Sequence, residues 1–171
     1  EEYTHRKKKE AFEFNLKEQE KKYRKNYENN IQKEKNITKK EPMTYNQKKE
    51  KGDDYEKKVA GYYKLDGYDI YLNGIKKGLE DGGIDIICKK DDKVILIQCK
   101  NWEDNHRYKI DHNKVKAFHS NCIRYIDENN LIKENTKLIY TVPSKNIFKP
   151  SAIKIFKDDY YNCRYEILKF S

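Results

Sequence analysis

The sequence predicts a layered α/β domain with a central mixed sheet, preceded by a charged helical extension. Three observations predict it. Helix-period and strand-period stretches follow one another in the order α-β-β-β-α-β-α-β, which fits helices packed on a sheet. Two apolar runs, residues 84–88 and 94–99, are separated by a short polar stretch that contains Lys90-Asp91-Asp92-Lys93, a hairpin signal. Residues 1–40 carry 13 Lys and Arg and 8 Asp and Glu and contain no Gly or Pro, which suits one long helix. The expected division is a charged helical extension or linker over residues 1–43 and a domain over residues 44–171.

Each element has its own signal. In the first segment Phe12, Leu16, Tyr23, Tyr27 and Ile31 fall on a narrow stripe interrupted by Gln19 and Glu20. A docking or coiled-coil seam is expected there, with a homodimer through residues 12–31 as one form of it and a frayed, solvated helix as the alternative. Glu41-Pro42 ends the segment, because the residue before proline disfavours helix. From about Tyr45 the helical period resumes, with Tyr55, Val59, Tyr62 and Tyr63 on one face and Asp53 or Asp54 placed in the early turns. Gly67 stops it, residues 68–72 read as a strand, and the glycines at 74, 78, 82 and 83 mark residues 73–83 as a loop. After the hairpin, residues 112–128 form a helix with Val115, Phe118, Cys122 and Ile126 inward. Residues 138–142 are a strand ending at Pro143, residues 151–156 a short helix, and residues 165–168 a last strand.

Composition narrows the partners. The chain of 171 residues has a formal charge of +9, with 15 Tyr, 6 Phe and 1 Trp. Such a basic surface favours a polyanion such as DNA, although lysine abundance alone also produces it. Cys88, Cys99, Cys122 and Cys163 show neither CxxC spacing nor a partner His at zinc-finger spacing, so free thiols in a cytoplasmic protein are expected. No stretch approaches the roughly 20 apolar residues of a membrane span. The chain begins Glu1-Glu2 without Met, so an upstream anchor or domain stays open.

The hairpin carries the chemistry. If Asp91-Asp92 is a two-residue turn, paired residue numbers sum to 183 and Asp85 faces Gln98 across the ladder. Gln98 and Lys100 share a strand face by alternation, and Cys99 points the other way. A buried run that ends in Gln and Lys beside Asp is costly unless partners are present. An ion-paired cluster at the sheet rim would supply them. So would a site for Mg²⁺, which takes hard oxygen ligands and keeps several waters. Asp85 offers a carboxylate, Gln98 an amide oxygen, and Cys99 its carbonyl. Lys100 would orient the attacking water or stabilise charge developing on phosphate. One carboxylate is a thin ligand set, and Glu56 on the helix is the best second.

These residues also carry a resemblance. Gly52-Asp53-Asp54-Tyr55-Glu56, Asp81-Gly82-Gly83-Ile84-Asp85 and Gln98-Cys99-Lys100-Asn101-Trp102 resemble the three signatures of the Mrr-like restriction endonuclease domain, a branch of the PD-(D/E)xK nucleases, over roughly residues 50–170. The branch carries Gln where most of the superfamily has an acid, as Gln98 does. The resemblance implies a restriction-endonuclease-like three-layer sandwich. It implies a Mg²⁺-dependent DNA endonuclease, with Mn²⁺ able to substitute, acting in restriction, defence or DNA processing. Asp85 and Gln98 would bind metal, Lys100 would be catalytic and Glu56 would complete the site. The segment 102–111 is longer and more polar than the resemblance leads one to expect, and residues 1–40 fall outside it.

Other residues have two readings. Asp81 competes with Asp85 but lies in the glycine-rich loop. Arg107 and Lys109, Lys114 and Lys116, and Ser144 and Lys145 are candidate phosphate contacts, with a solvated surface as the default for each. His106, His112 and His119 lack metal-ligand spacing. Trp102 either stacks on a base or packs on the sheet, packing being the commoner use. A junction resolvase with the same site, or a non-catalytic DNA-binding module, are the other functional classes. Keeping Asp85, Lys100 and Glu56 together weighs against the module.

Overall fold

A computed structural model describes residues 21, 22, 25, 42–78 and 82–171. The stripe over residues 12–31 and the competing Asp81 therefore lie outside the described residues or almost wholly so. Thr44–Ser171 forms one compact unit.

Helix α1 (Tyr45–Leu65) opens at Thr44, whose hydroxyl accepts from Gln47 N–H while the Gln47 side chain accepts from Thr44 N–H. This reciprocal cap satisfies two of the otherwise orphaned donors of the first turn. The helix starts at Tyr45, where the helical period was expected to resume, and Asp53 and Asp54 sit well inside it rather than in its early turns. Tyr55, Val59, Ala60 and Tyr63 are buried, whereas Tyr62 is exposed. A face repeating every three to four residues includes 55, 59 and 63 and leaves 62 about 100° away. Burying Val59 alone contributes about 1.5–3 kcal/mol.

Strand β1 (Asp69–Leu72) leads directly into a short helix, α2 (Asn73–Lys77), where the glycines had indicated only loop. Strands β2 (Ile86–Lys90) and β3 (Lys93–Cys99) form the expected hairpin around a two-residue turn, with Asp91 at φ 54°. Helix α3 (His112–Glu128) is capped by the Asp111 carboxylate and buries the four residues expected of it. Strand β4 (Thr136–Val142), helix α4 (Pro150–Lys157) and strand β5 (Cys163–Ile167) complete the unit. Pro150 occupies the first turn of α4, where its missing N–H costs nothing.

The sheet order is β1-β2-β3-β4-β5. The first three strands are antiparallel and the last two run parallel to β3, so the sheet is mixed. Alternation along β3 sorts the core into two layers. Val94 and Leu96 pack with Val115, Phe118 and Phe156 of α3 and α4. Ile95, Ile97 and Cys99 pack with Tyr55, Val59 and Tyr63 of α1. The result is an α/β sandwich of three layers whose strand ends converge on the residues described next.

Candidate active site

The hairpin register runs from Lys90–Lys93 to Ile86–Ile97, as the sum of 183 requires. One residue further it changes. Asp85 N–H donates to the Ile97 carbonyl at 2.8 Å instead of continuing the ladder opposite Gln98. The Asp85 carboxylate then reaches past Gln98, and Oδ2 accepts from Cys99 N–H at 2.6 Å. Asp85 thus brackets Gln98, bonding one residue before it through backbone and one after it through side chain. The expected cross-strand pair is corrected to this arrangement, and a departure of this kind at a ladder's end aims a side chain that regular pairing would fix elsewhere.

Asp85 is 6% exposed, which is costly for a carboxylate unless donors surround it. Its segment is held from the other side as well. Gly74 N–H donates to the Asp85 carbonyl at 2.8 Å, and Asn73 Nδ2 donates to the Ile84 carbonyl at 2.7 Å. Glu56 comes from α1, one residue past the buried Tyr55, and its Oε2 is shielded from solvent. A Cβ placed on Gly74 would lie 2.9 Å from Glu56 Oε2 and 3.1 Å from Asp85 Oδ1. Both oxygens therefore border one small hollow that the glycine leaves open, and they are within about 6 Å of each other.

Gln98 follows Leu96 on the face turned toward α3. A Cβ on Gly83 would lie 3.4 Å from Gln98 Nε2 and 3.2 Å from Asn121 Nδ2, so its amide sits beside the glycine turn and α3. The Gly82-Gly83 turn has φ of 65° and 74°, a conformation that favours glycine. The Cys99 thiol is pushed up well above its ordinary range by burial and then by the Asp85 charge. It is a neutral group and leaves only its backbone for any ligand role. The Thr141 hydroxyl lies 3.1 Å from Cys99 Sγ and 3.3 Å from the Gln98 carbonyl, tying β4 to β3 at this point. Lys100 is half-buried just past β3, with its N–H bonded to the Thr141 carbonyl at 3.0 Å. Among the described residues it makes no ion pair.

A hard divalent cation fits this donor set. Two carboxylate oxygens converge on the Gly74 hollow, with an amide side chain and a backbone carbonyl on the adjoining strand end. Among the described residues no group of three or more His, Cys, Asp or Glu assembles. Two carboxylates, an amide and a carbonyl would leave the rest of a hard ion's coordination to water. The hollow gives a direct test. Gly74→Ala puts a methyl group against both oxygens and 3.2 Å from Asp85 Cα, so the carboxylates must part. Mn²⁺ affinity by calorimetry is expected to fall about 10–100-fold, the usual cost of disturbing a ligand's surroundings. The crowding should also cost about 1–3 kcal/mol of stability, partly offset by the helix preference of alanine over glycine of about 1 kcal/mol, so affinity is measured well below the melting temperature of both proteins. Wild-type Mn²⁺ affinity in this variant would remove the hollow from the site.

The candidate phosphate contacts divide. Ile110 N–H donates to the Ile147 carbonyl and Lys149 N–H to the Ile110 carbonyl, both at 2.8 Å. These bonds stitch the segment bearing Arg107 and Lys109 to the one bearing Ser144 and Lys145. Lys109 donates to the Asp104 carbonyl, and Ser144 Oγ accepts from Asn146 N–H at 3.2 Å. Arg107 lies over the Tyr108 ring. Lys114 stands exposed in the first turn of α3. Lys116 instead lies over Tyr161, next to β5. Trp102 packs against the α3 side of the core and stacks on His106 at 4.3 Å. Sequence reasoning missed α2, and with it the Gly74 hollow, because glycine there read as loop.

Among solved structures, a crystallised protein of unknown function is similar at 14% identity, covering 64% of this chain and 54% of its own, with a TM-score of 0.46. A repair endonuclease from Pyrococcus abyssi is similar at 20% identity, covering 50% of this chain and 32% of its own, with a TM-score of 0.34. The chain thus spans about half the length of the first of these and a third of the second. No curated protein matches. The profile of the restriction endonuclease family Mrr_cat matches residues 48–141. That stretch contains Glu56, Asp85, Gln98, Cys99 and Lys100 together with the strands and helices that hold them, and over it the chain belongs to the Mrr_cat restriction endonuclease family.

Proposed function

We propose that this nuclease-family chain is a divalent-metal-dependent endonuclease that hydrolyses phosphodiester bonds in DNA, in restriction, defence or DNA processing. The observation that carries the reading is the convergence of the Glu56 and Asp85 oxygens on the Gly74 hollow, with Lys100 at the end of the adjoining strand. Asp85, Glu56 and Gln98, with the Cys99 carbonyl, would hold Mg²⁺ or Mn²⁺, and the ion would offset negative charge at the scissile phosphate. The chain's own residues do the rest. The bond from Cys99 N–H fixes Asp85 Oδ2 and so orients Oδ1. The Lys100 ammonium donates a hydrogen bond to the attacking water or to a phosphate oxygen, where it stabilises the charge that grows in the transition state. The chemistry resides in residues 44–171, with residues 1–43 as an appendage that serves association or spacing. A plasmid-cleavage assay tests all of this together. Cutting is expected with Mg²⁺ or Mn²⁺, from the full chain and from a chain beginning at Thr44, and not in excess EDTA. Full cutting in EDTA would sink the reading.

The stitched loops supply the DNA-facing cations. Arg107→Ala, Lys109→Ala, Lys114→Ala and Lys145→Ala are each expected to weaken binding by a similar factor on every sequence. Each should flatten the slope of log affinity against log salt by about one unit for every phosphate the removed cation neutralised. Lys116→Ala, whose ammonium lies over Tyr161, should change the slope less. Titrations at several salt concentrations measure this, and unchanged slopes for all four would place the DNA path elsewhere.

A further inference from the structure

Past the ends of β3, β4 and β5, the sheet and α1 enclose a cleft of about 450 Å³. Glu56, Asp85 and Lys100 do not line it, but Tyr55 and Asn101, the sequence neighbours of two of them, do. Its volume falls within the range of sites that hold small organic ligands, about 300–1,000 Å³. Its apolar wall is aromatic, made of Tyr55, Trp102 and Phe170. These rings are fixed in place. The Tyr55 hydroxyl donates to the Leu168 carbonyl at 2.9 Å, and its ring meets Phe170 edge-on at 5.7 Å. Trp102 is held by its near-parallel stack on His106, with planes 9° apart. Rigid rings that need no ordering suit a flat aromatic ligand.

The charges in the cleft set the rest of the ligand. Lys51 pairs with Glu103 at 2.9 Å and Lys58 with Asp54 at 3.0 Å. Asp104 is held below the usual carboxyl range, chiefly by a hydrogen bond from Ser144. Among the described residues no ion pair engages Lys169, which is exposed at the rim. A tract of phosphates needs several cations, and this cleft offers one outside an ion pair, Lys169, whose charge also helps to lower Asp104, beside three rings and the Asn101 amide. We infer that the cleft binds a single nucleotide, its base against Trp102 and Phe170, backed by the buried Tyr55, and its phosphate on Lys169. The source is either the strand being cut, an assignment that rests on the endonuclease reading, or a free nucleotide.

Trp102 is the single tryptophan of the chain, so its fluorescence reports occupancy without any cutting. The full chain in EDTA is titrated with a deoxynucleoside monophosphate. In a second arm it is titrated with a short duplex carrying one unpaired nucleotide, against the same duplex fully paired. Saturable quenching is expected from the monophosphate or from the unpaired duplex over the paired one, and the responding arm identifies the source. Phe170→Ala should weaken it about fivefold or more, in keeping with one base stack. Lys169→Glu, at an exposed position, should weaken it too and keeps the test sound if Phe170→Ala folds poorly. Quenching by neither arm, or equal quenching by inorganic phosphate at matched ionic strength, overturns the inference. A chain that quenches but never cuts overturns the nuclease reading instead.

Discussion

Lys100→Ala is expected to lower the rate of DNA cleavage at least 10²–10³-fold while leaving DNA affinity nearly unchanged. The magnitude is that of removing one group aimed at transition-state charge. Lys100 is placed for such a role by its backbone. The N–H bond to the Thr141 carbonyl extends the β3–β4 pairing one residue past the strand, so the side chain leaves from a fixed point. Among the described residues no ion pair within 4.0 Å engages it. Melting curves of the variant beside wild type separate a loss of rate from a loss of fold. Single-turnover cleavage with saturating Mn²⁺ measures the rate, and fluorescence anisotropy in EDTA measures binding. A loss that falls mainly on rate is what a group acting only in the transition state produces. Wild-type cleavage by Lys100→Ala would end the assignment.

Much of this site was legible in the sequence, and the limits have physical causes. The hairpin register followed from turn length, because a two-residue turn fixes every later pair. Helix α3 was legible because Val115, Phe118, Cys122 and Ile126 repeat at helical spacing. The alternation argument failed where the ladder ends. It placed Asp85 opposite Gln98, whereas Asp85 bonds Ile97 and Cys99, and strand periodicity holds only while pairing continues. Helix α2 was hidden because glycine marks turns and open hollows alike, and Gly74 serves the second purpose. Thr44 and Gln47 form a capping box at the expected start near Tyr45, whereas Asp53 and Asp54 lie deeper in the helix than the early turns expected of them. The cleft has no local signature at all. Tyr55, Trp102 and Phe170 are brought together by topology, and no spacing along the chain reports it.

Asp85→Asn is expected to abolish cleavage and to invert the order of stability between variant and wild type when metal is added. Asparagine keeps the size of the side chain and an oxygen that accepts from Cys99 N–H, so the 2.6 Å bond has a successor. It removes one of two carboxylates whose oxygens lie within about 6 Å of each other in a site that is 6% exposed at Asp85. Without a cation those charges repel at reduced dielectric, so in EDTA the variant should melt at or above wild type. A ligand that binds only the folded state stabilises it by RT ln(1 + [L]/Kd), about 2.7 kcal/mol at 100 times Kd. Wild type should gain that increment with Mn²⁺, several degrees for a chain of this size, and Asp85→Asn should gain little. Asp85→Ala separates the hydrogen bond from the charge. It strands the Cys99 N–H and should cost about 1–3 kcal/mol in EDTA, with no recovery on adding Mn²⁺. Melting curves of the three proteins with and without the ion decide the matter. If Asp85→Asn gains as much from Mn²⁺ as wild type does, Asp85 is a structural carboxylate and the ion binds elsewhere.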